Sequence, residues 1–140
     1  MDSPTVLCID DRLSVLELHK ANLELHGYRV KTASSSYSAM QTLQEETSVA
    51  VVLLEYKEEG IDAEAVAYHI KQRFPNLPII LVSAYFEMPE RILWLVDEYV
   101  MKSELQERLV PTIERVTRQT ETDKARAPHS NERCQRKAAA

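Results

Sequence analysis

Val49-Ala50-Val51-Val52-Leu53-Leu54, closed by Glu55, is the most apolar stretch of the chain. An unbroken apolar run of this length reads as a strand buried on both faces, the central strand of a sheet. Working outward, Thr5 to Ile9 has the same character and ends in Asp10 and Asp11. Ile79 to Val82 is a third such run, ending in Ser83, and Tyr99 to Met101 is a short fourth, ending in Lys102. Tyr28 to Thr32 reads as a further short strand.

Helical spacing fills the intervals. Leu13, Val15, Leu16, Leu18, Leu23 and Leu25 mix with Glu17, Lys20 and Glu24 up to His26, where Gly27 offers the left-handed conformation that ends a helix. Ser34, Ser35 and Ser36 are N-cap candidates for a helix through Glu46, with Ala39, Met40 and Leu43 as its inner stripe. A helix from about Asp62 to Arg73 packs Ala65, Val66 and Ile70, and Pro75 and Pro78 bracket the turn that follows. Pro89 opens a short helix burying Ile92, Leu93, Leu95 and Val96, and apolar residues at 105, 109, 113 and 116 mark a last helix from Leu105 to Val116.

Strands alternating with helices imply right-handed βαβ units, hence a parallel sheet covered on both faces. Functional groups of such sheets lie outside the carboxyl ends of the strands. Asp10, Asp11, Glu55, Ser83 and Lys102 all fall at that edge. A carboxylate at position 55 has three possible employments: nucleophile, metal ligand or fixed charge. The bland alternative is a solvated acidic rim.

This set, in this order, resembles the receiver domain of bacterial two-component response regulators over roughly residues 4 to 117. The resemblance implies a flavodoxin-like (CheY-like) fold with strand order 2-1-3-4-5. It implies a Mg²⁺ site at Asp10, Asp11, the residue-55 carboxylate and the backbone carbonyl of Lys57. Glu55 takes the place of the phosphoacceptor Asp, Ser83 the hydroxyl that contacts phosphoryl oxygens, and Lys102 the lysine that completes the site. Tyr99 matches the aromatic position that changes rotamer on activation, and Tyr85 the position that modulates access of water. Mg²⁺ suits such a site because it prefers oxygen ligands and keeps several waters.

The departures from that pattern carry the functional reading. Glu extends the carboxylate by about one C–C bond, roughly 1.5 Å, and in-line phosphoryl transfer depends on finer placement than that. Glu55 is therefore expected to be a poor acceptor and to contact Lys102 or Ser83 directly, an imperfect imitation of a phosphorylated side chain, which carries more charge. Glu58 and Glu59 stand where Met and Pro are usual, and Ser103 stands where receivers carry a Pro preceded by a cis bond. A cis bond before Ser would cost about 2.5 to 4 kcal/mol, so a trans bond or local rearrangement is expected. The resulting expectation is a stand-alone, phosphorylation-independent signalling module rather than an enzyme. It would dock proteins, such as a histidine kinase or a downstream effector, through the face of the fourth helix, fifth strand and fifth helix, with a homodimer through that face possible. The alternative is a conventional Mg²⁺-dependent phosphoacceptor. A phosphatase using Asp10 as nucleophile is disfavoured, because Asp11 and Arg12 follow it rather than a second Asp two residues on.

Bulk properties fit one domain of residues 1–117 and a polar tail, 118–140, expected to be disordered. The first segment holds 11 basic and 19 acidic side chains, a net of −8, and the tail 6 and 3, a net of +3. The acidic body argues against direct nucleic-acid binding. Cys8 and Cys134 are badly placed for a disulfide, which favours a reducing cytoplasm. No apolar run approaches the roughly 20 residues needed to span a bilayer. His19 and His26 have no second ligand at metal spacing and read as surface or packing residues.

Overall fold

A computed structural model describes residues 3–57, 59–85 and 87–125. The elements run β1 (Thr5–Ile9), α1 (Leu13–Leu25), β2 (Arg29–Ala33), α2 (Ser36–Glu45), β3 (Val49–Glu55), α3 (Ala63–Arg73), β4 (Ile79–Ser83), α4 (Glu90–Leu95), β5 (Glu98–Met101), a 3₁₀ turn (Lys102–Glu104) and α5 (Leu105–Ala125). All strand pairs are parallel and the sheet order is β2-β1-β3-β4-β5, the flavodoxin-like arrangement with the most apolar run at its centre.

The two-residue period of the strands divides the core into two layers. Leu7, Ile9, Val52, Leu54, Ile79 and Leu81 face α2, α3 and α4 through Ala39, Leu43, Val66, Ile70 and Ile92. Their neighbours Val6, Cys8, Val51, Leu53, Ile80 and Val82 face α1 and α5 through Leu16, Leu23, Leu109 and Ile113. Burial, with a smaller push from the Glu55 charge, raises the Cys8 thiol to about 12, so it acts as a small apolar packing group.

Local chemistry sets the element ends. Ser35 and Ser38 form a reciprocal capping box on α2, and Asp62 accepts from the Ala65 N–H to cap α3. Gly27, at φ +89°, ends α1 as its position suggests. β3 and β4 each run one residue further than their apolar composition indicates, so Glu55 and Ser83 are the last residues of strands. No cis peptide bond occurs among the described residues, and Lys102-Ser103 opens the 3₁₀ turn.

α5 continues to Ala125, so the division expected at residue 117 falls inside a helix. The apolar stripe does stop at Val116, but Arg118, Gln119, Glu121 and Lys124 are good helix formers by residue type, and the helix runs on past it. Cys134 and the rest of the expected disordered tail lie outside the described residues, as does Glu58.

Candidate functional site

Strand register brings the site together. Ile9 pairs with Leu54, Glu55 with Val82, and Ser83 with Met101, so the chain emerges from β1, β3, β4 and β5 at one rim. Asp10, Asp11, Glu55, Ser83 and Lys102 all sit at this edge.

Glu55 is the buried centre, 5% exposed. Its Oε2 lies 2.9 Å from Lys102 Nζ, and its Oε1 lies 3.6 Å from His19 Nε2. Burial alone would raise the Glu55 carboxyl, but His19 and Lys102 outweigh it and hold it below the ordinary 4.5. The expected contact with Lys102 is therefore present. Ser83 is fully buried, and its hydroxyl accepts from the Tyr85 N–H at 3.0 Å.

Asp10 is buried and Asp11 exposed. Asp10 Oδ1 accepts from the Arg12 N–H at 3.0 Å and from Lys57 Nζ at 2.5 Å. The same ammonium donates to Asp11 Oδ1. Burial would lower the Lys57 ammonium, but the two aspartates more than compensate and raise it, so it stays charged across the neutral range. The site thus gains a side chain where the sequence suggested only a backbone carbonyl.

Mg²⁺ demands near-octahedral oxygen ligation at about 2.0 to 2.1 Å. An ammonium bridging both members of the acidic pair leaves the arrangement unfit for that ion. Among the described residues no three His, Cys, Asp or Glu side chains converge as a metal-holding group.

The aromatic residues border the same rim. The Tyr99 hydroxyl donates to the Tyr85 carbonyl, tying β5 to the β4–α4 loop. Burial, and to a lesser degree Glu104, pushes the Tyr99 phenol above its usual value, which keeps it a neutral donor. Tyr85 stands 41% exposed, edge-on to Tyr56 with centroids 6.0 Å apart.

His19 is the site residue that sequence reading undervalued. It is 5% exposed and occupies the buried stripe of α1 with Leu16 and Leu23. The spacing 16, 19, 23 was the available signal: a polar residue on an inward helical face must meet a polar partner.

A family model described as "Response regulator receiver domain" matches residues 6–114. The chain belongs to this family. Among curated proteins this receiver is 35% identical over 86 residues to a "Putative response regulator NtrX-like" of Rickettsia conorii, covering 61% of the chain and 18% of that protein. It is 30% identical over 118 residues to the "Probable transcriptional regulator ycf27" of Guillardia theta, covering 82% and 46%. The receiver thus spans less than half the length of these relatives. Among solved structures, response regulator protein TrrA of Thermotoga maritima, described in complex with Mg²⁺-BeF, is 28% identical with a TM-score of 0.73, covering 81% of this chain and 98% of that one. A receiver domain from Clostridium thermocellum gives 25% and 0.77, covering 85% and 98%. No helix among the described residues is long and apolar enough to cross a membrane.

Proposed function

We propose that this receiver is a degenerate signalling module that works by protein–protein contact without taking a phosphoryl group. The observation that carries the reading is the Glu55 carboxylate, buried and ion-paired to Lys102 at 2.9 Å. In the receiver pattern the lysine after β5 serves the phosphoryl oxygens. Here a fixed carboxylate already engages it. Glu55 thereby biases the domain toward an active-like state, a bias to which the Tyr99–Tyr85 hydrogen bond is suited, because it holds the switch aromatic against the β4–α4 loop.

The output passes through the α4-β5-α5 face to a protein partner such as a histidine kinase, a downstream effector or a second copy of the domain. Leu93 and Trp94 on α4 are 39% and 49% exposed, which suits recognition by an apolar partner surface. The −8 charge of residues 1–117 opposes contact with nucleic-acid phosphates by this domain.

Incubation with Mg²⁺ and a small phosphodonor, followed by intact-mass measurement, tests the proposal, with Glu55→Asp treated alongside. The expected result is no phosphate adduct on the native chain, and an adduct on Glu55→Asp once Lys57→Met is added to free the acidic pair for Mg²⁺. An adduct on the native chain returns the protein to the conventional phosphoacceptors.

A further inference from the structure

The acidic pair after β1 holds a cation that belongs to the chain itself. Lys57 lies two residues beyond the end of β3, in the loop over the rim, and its side chain folds back so that Nζ lies 2.5 Å from Asp10 Oδ1 and bonds Asp11 Oδ1 as well. The ammonium is not a freely waving surface group, since the Lys57 side chain is only 22% exposed. Its principal partner, Asp10, has a side chain that is 1% exposed.

Gly60 completes the arrangement. It adopts φ +94°, and a Cβ there would lie 2.1 Å from Asp11 Oδ2. Asp11 therefore leans into the space that a side chain at residue 60 would fill. Its other oxygen meets the ammonium.

Charge counting agrees with the geometry. A receiver with an Asp pair, an acceptor Asp and one Lys carries two uncompensated negative charges, which a divalent cation neutralises. Here Asp10, Asp11 and Glu55 face Lys57 and Lys102, so only one remains. A divalent ion at Asp10 and Asp11 would meet the Lys57 ammonium on one oxygen of each carboxylate and be repelled by its charge.

We propose that the Lys57 ammonium is a built-in stand-in for the divalent cation, so that this receiver partly neutralises its acidic pair without Mg²⁺ and excludes that ion. The inference rests on the receiver site and is independent of whether Glu55 accepts a phosphoryl group.

The test is Mn²⁺ and Mg²⁺ binding to the full chain, read by Mn²⁺ water-proton relaxation and by the Mg²⁺ dependence of the melting temperature, with ionic strength held constant. The native chain, Glu55→Asp and Lys57→Arg are expected to show no saturable binding at millimolar ion and a melting temperature independent of Mg²⁺. Lys57→Met is expected to bind at least about tenfold more tightly and to be raised in melting temperature by Mg²⁺. Adding Asp10→Asn to Lys57→Met should abolish that gain. Saturable Mg²⁺ binding by the native chain would overturn the proposal, as would a folded Lys57→Met that binds no better than native. These readouts are separate from the phosphate adduct, so failure of one reading is distinguishable from failure of the other.

Discussion

Glu55 concentrates the electrostatics of the domain at a single residue. Its folded carboxyl lies below its ordinary value, so its contribution to stability is complete above the unfolded value and is lost as pH falls through the folded one. Unfolding free energy of the native chain should therefore decline below about pH 4.5. Glu55→Gln removes the charge while keeping the shape, and it leaves Lys102 without its carboxylate. We expect it to cost about 1 to 3 kcal/mol at pH 7, discounted because the Lys102 side chain is 31% exposed. The same variant should flatten the acid decline. Urea unfolding midpoints from pH 7 to pH 3 measure both effects, and an unchanged acid limb would show that the ion pair contributes nothing. The Tyr99 side-chain signals, followed by NMR, should shift in the same variant if Glu55 sets the active-like bias.

Among the elements, α4 is the least secured. It has six residues, fewer than an isolated helix needs, and Pro89 at its N-cap offers no side-chain acceptor. Ile92 is its one fully buried residue. Leu95 and the C-cap Val96 also pack in the same core layer as Ile92, and Arg91 reaches Glu64 of α3 at 3.1 Å across an exposed gap, an ion pair worth little in water. Amide hydrogen exchange should accordingly be fastest in α4 among the helices and slowest in β1, β3 and β4. Exchange in α4 as slow as in β3 would contradict this ordering. α5 behaves differently at its two ends: Leu109, Ile113 and Val116 dock it on the sheet, while its last residues continue as helix beyond the apolar stripe. Its far end should exchange faster than its docked turns.

At the scale of the whole molecule, β3 is the keel. Leu54 is completely buried between β1 and β4 and packs in the layer with α2, α3 and α4. Leu54→Ala should cost about 2 to 5 kcal/mol by denaturant unfolding, because a closely packed two-sided sheet collapses poorly around a cavity. A loss below about 1 kcal/mol would mean that the layers relax into the space, contrary to their packing. As Leu54 precedes Glu55, the same variant should also loosen the site, which the pH dependence of Glu55 would report.

The sequence by itself determined the sheet, its helical cover and the rim on which the functional groups stand. Apolar runs of Val, Ile and Leu and helical stripes between them are local patterns, and parallel connectivity follows from their alternation. The order and chemistry of Asp10, Asp11, Glu55, Ser83 and Lys102 were legible for the same reason, each being the residue that ends a run. Only the tertiary structure decided what those groups hold. Periodicity placed His19 on α1 without naming the carboxylate beneath it, and nothing in the loop after β3 announced that Lys57 turns back onto the acidic pair. Long side chains choose partners by the field and space that other segments create. Here that space is made by Gly60, 49 residues along the chain from the Asp11 it accommodates.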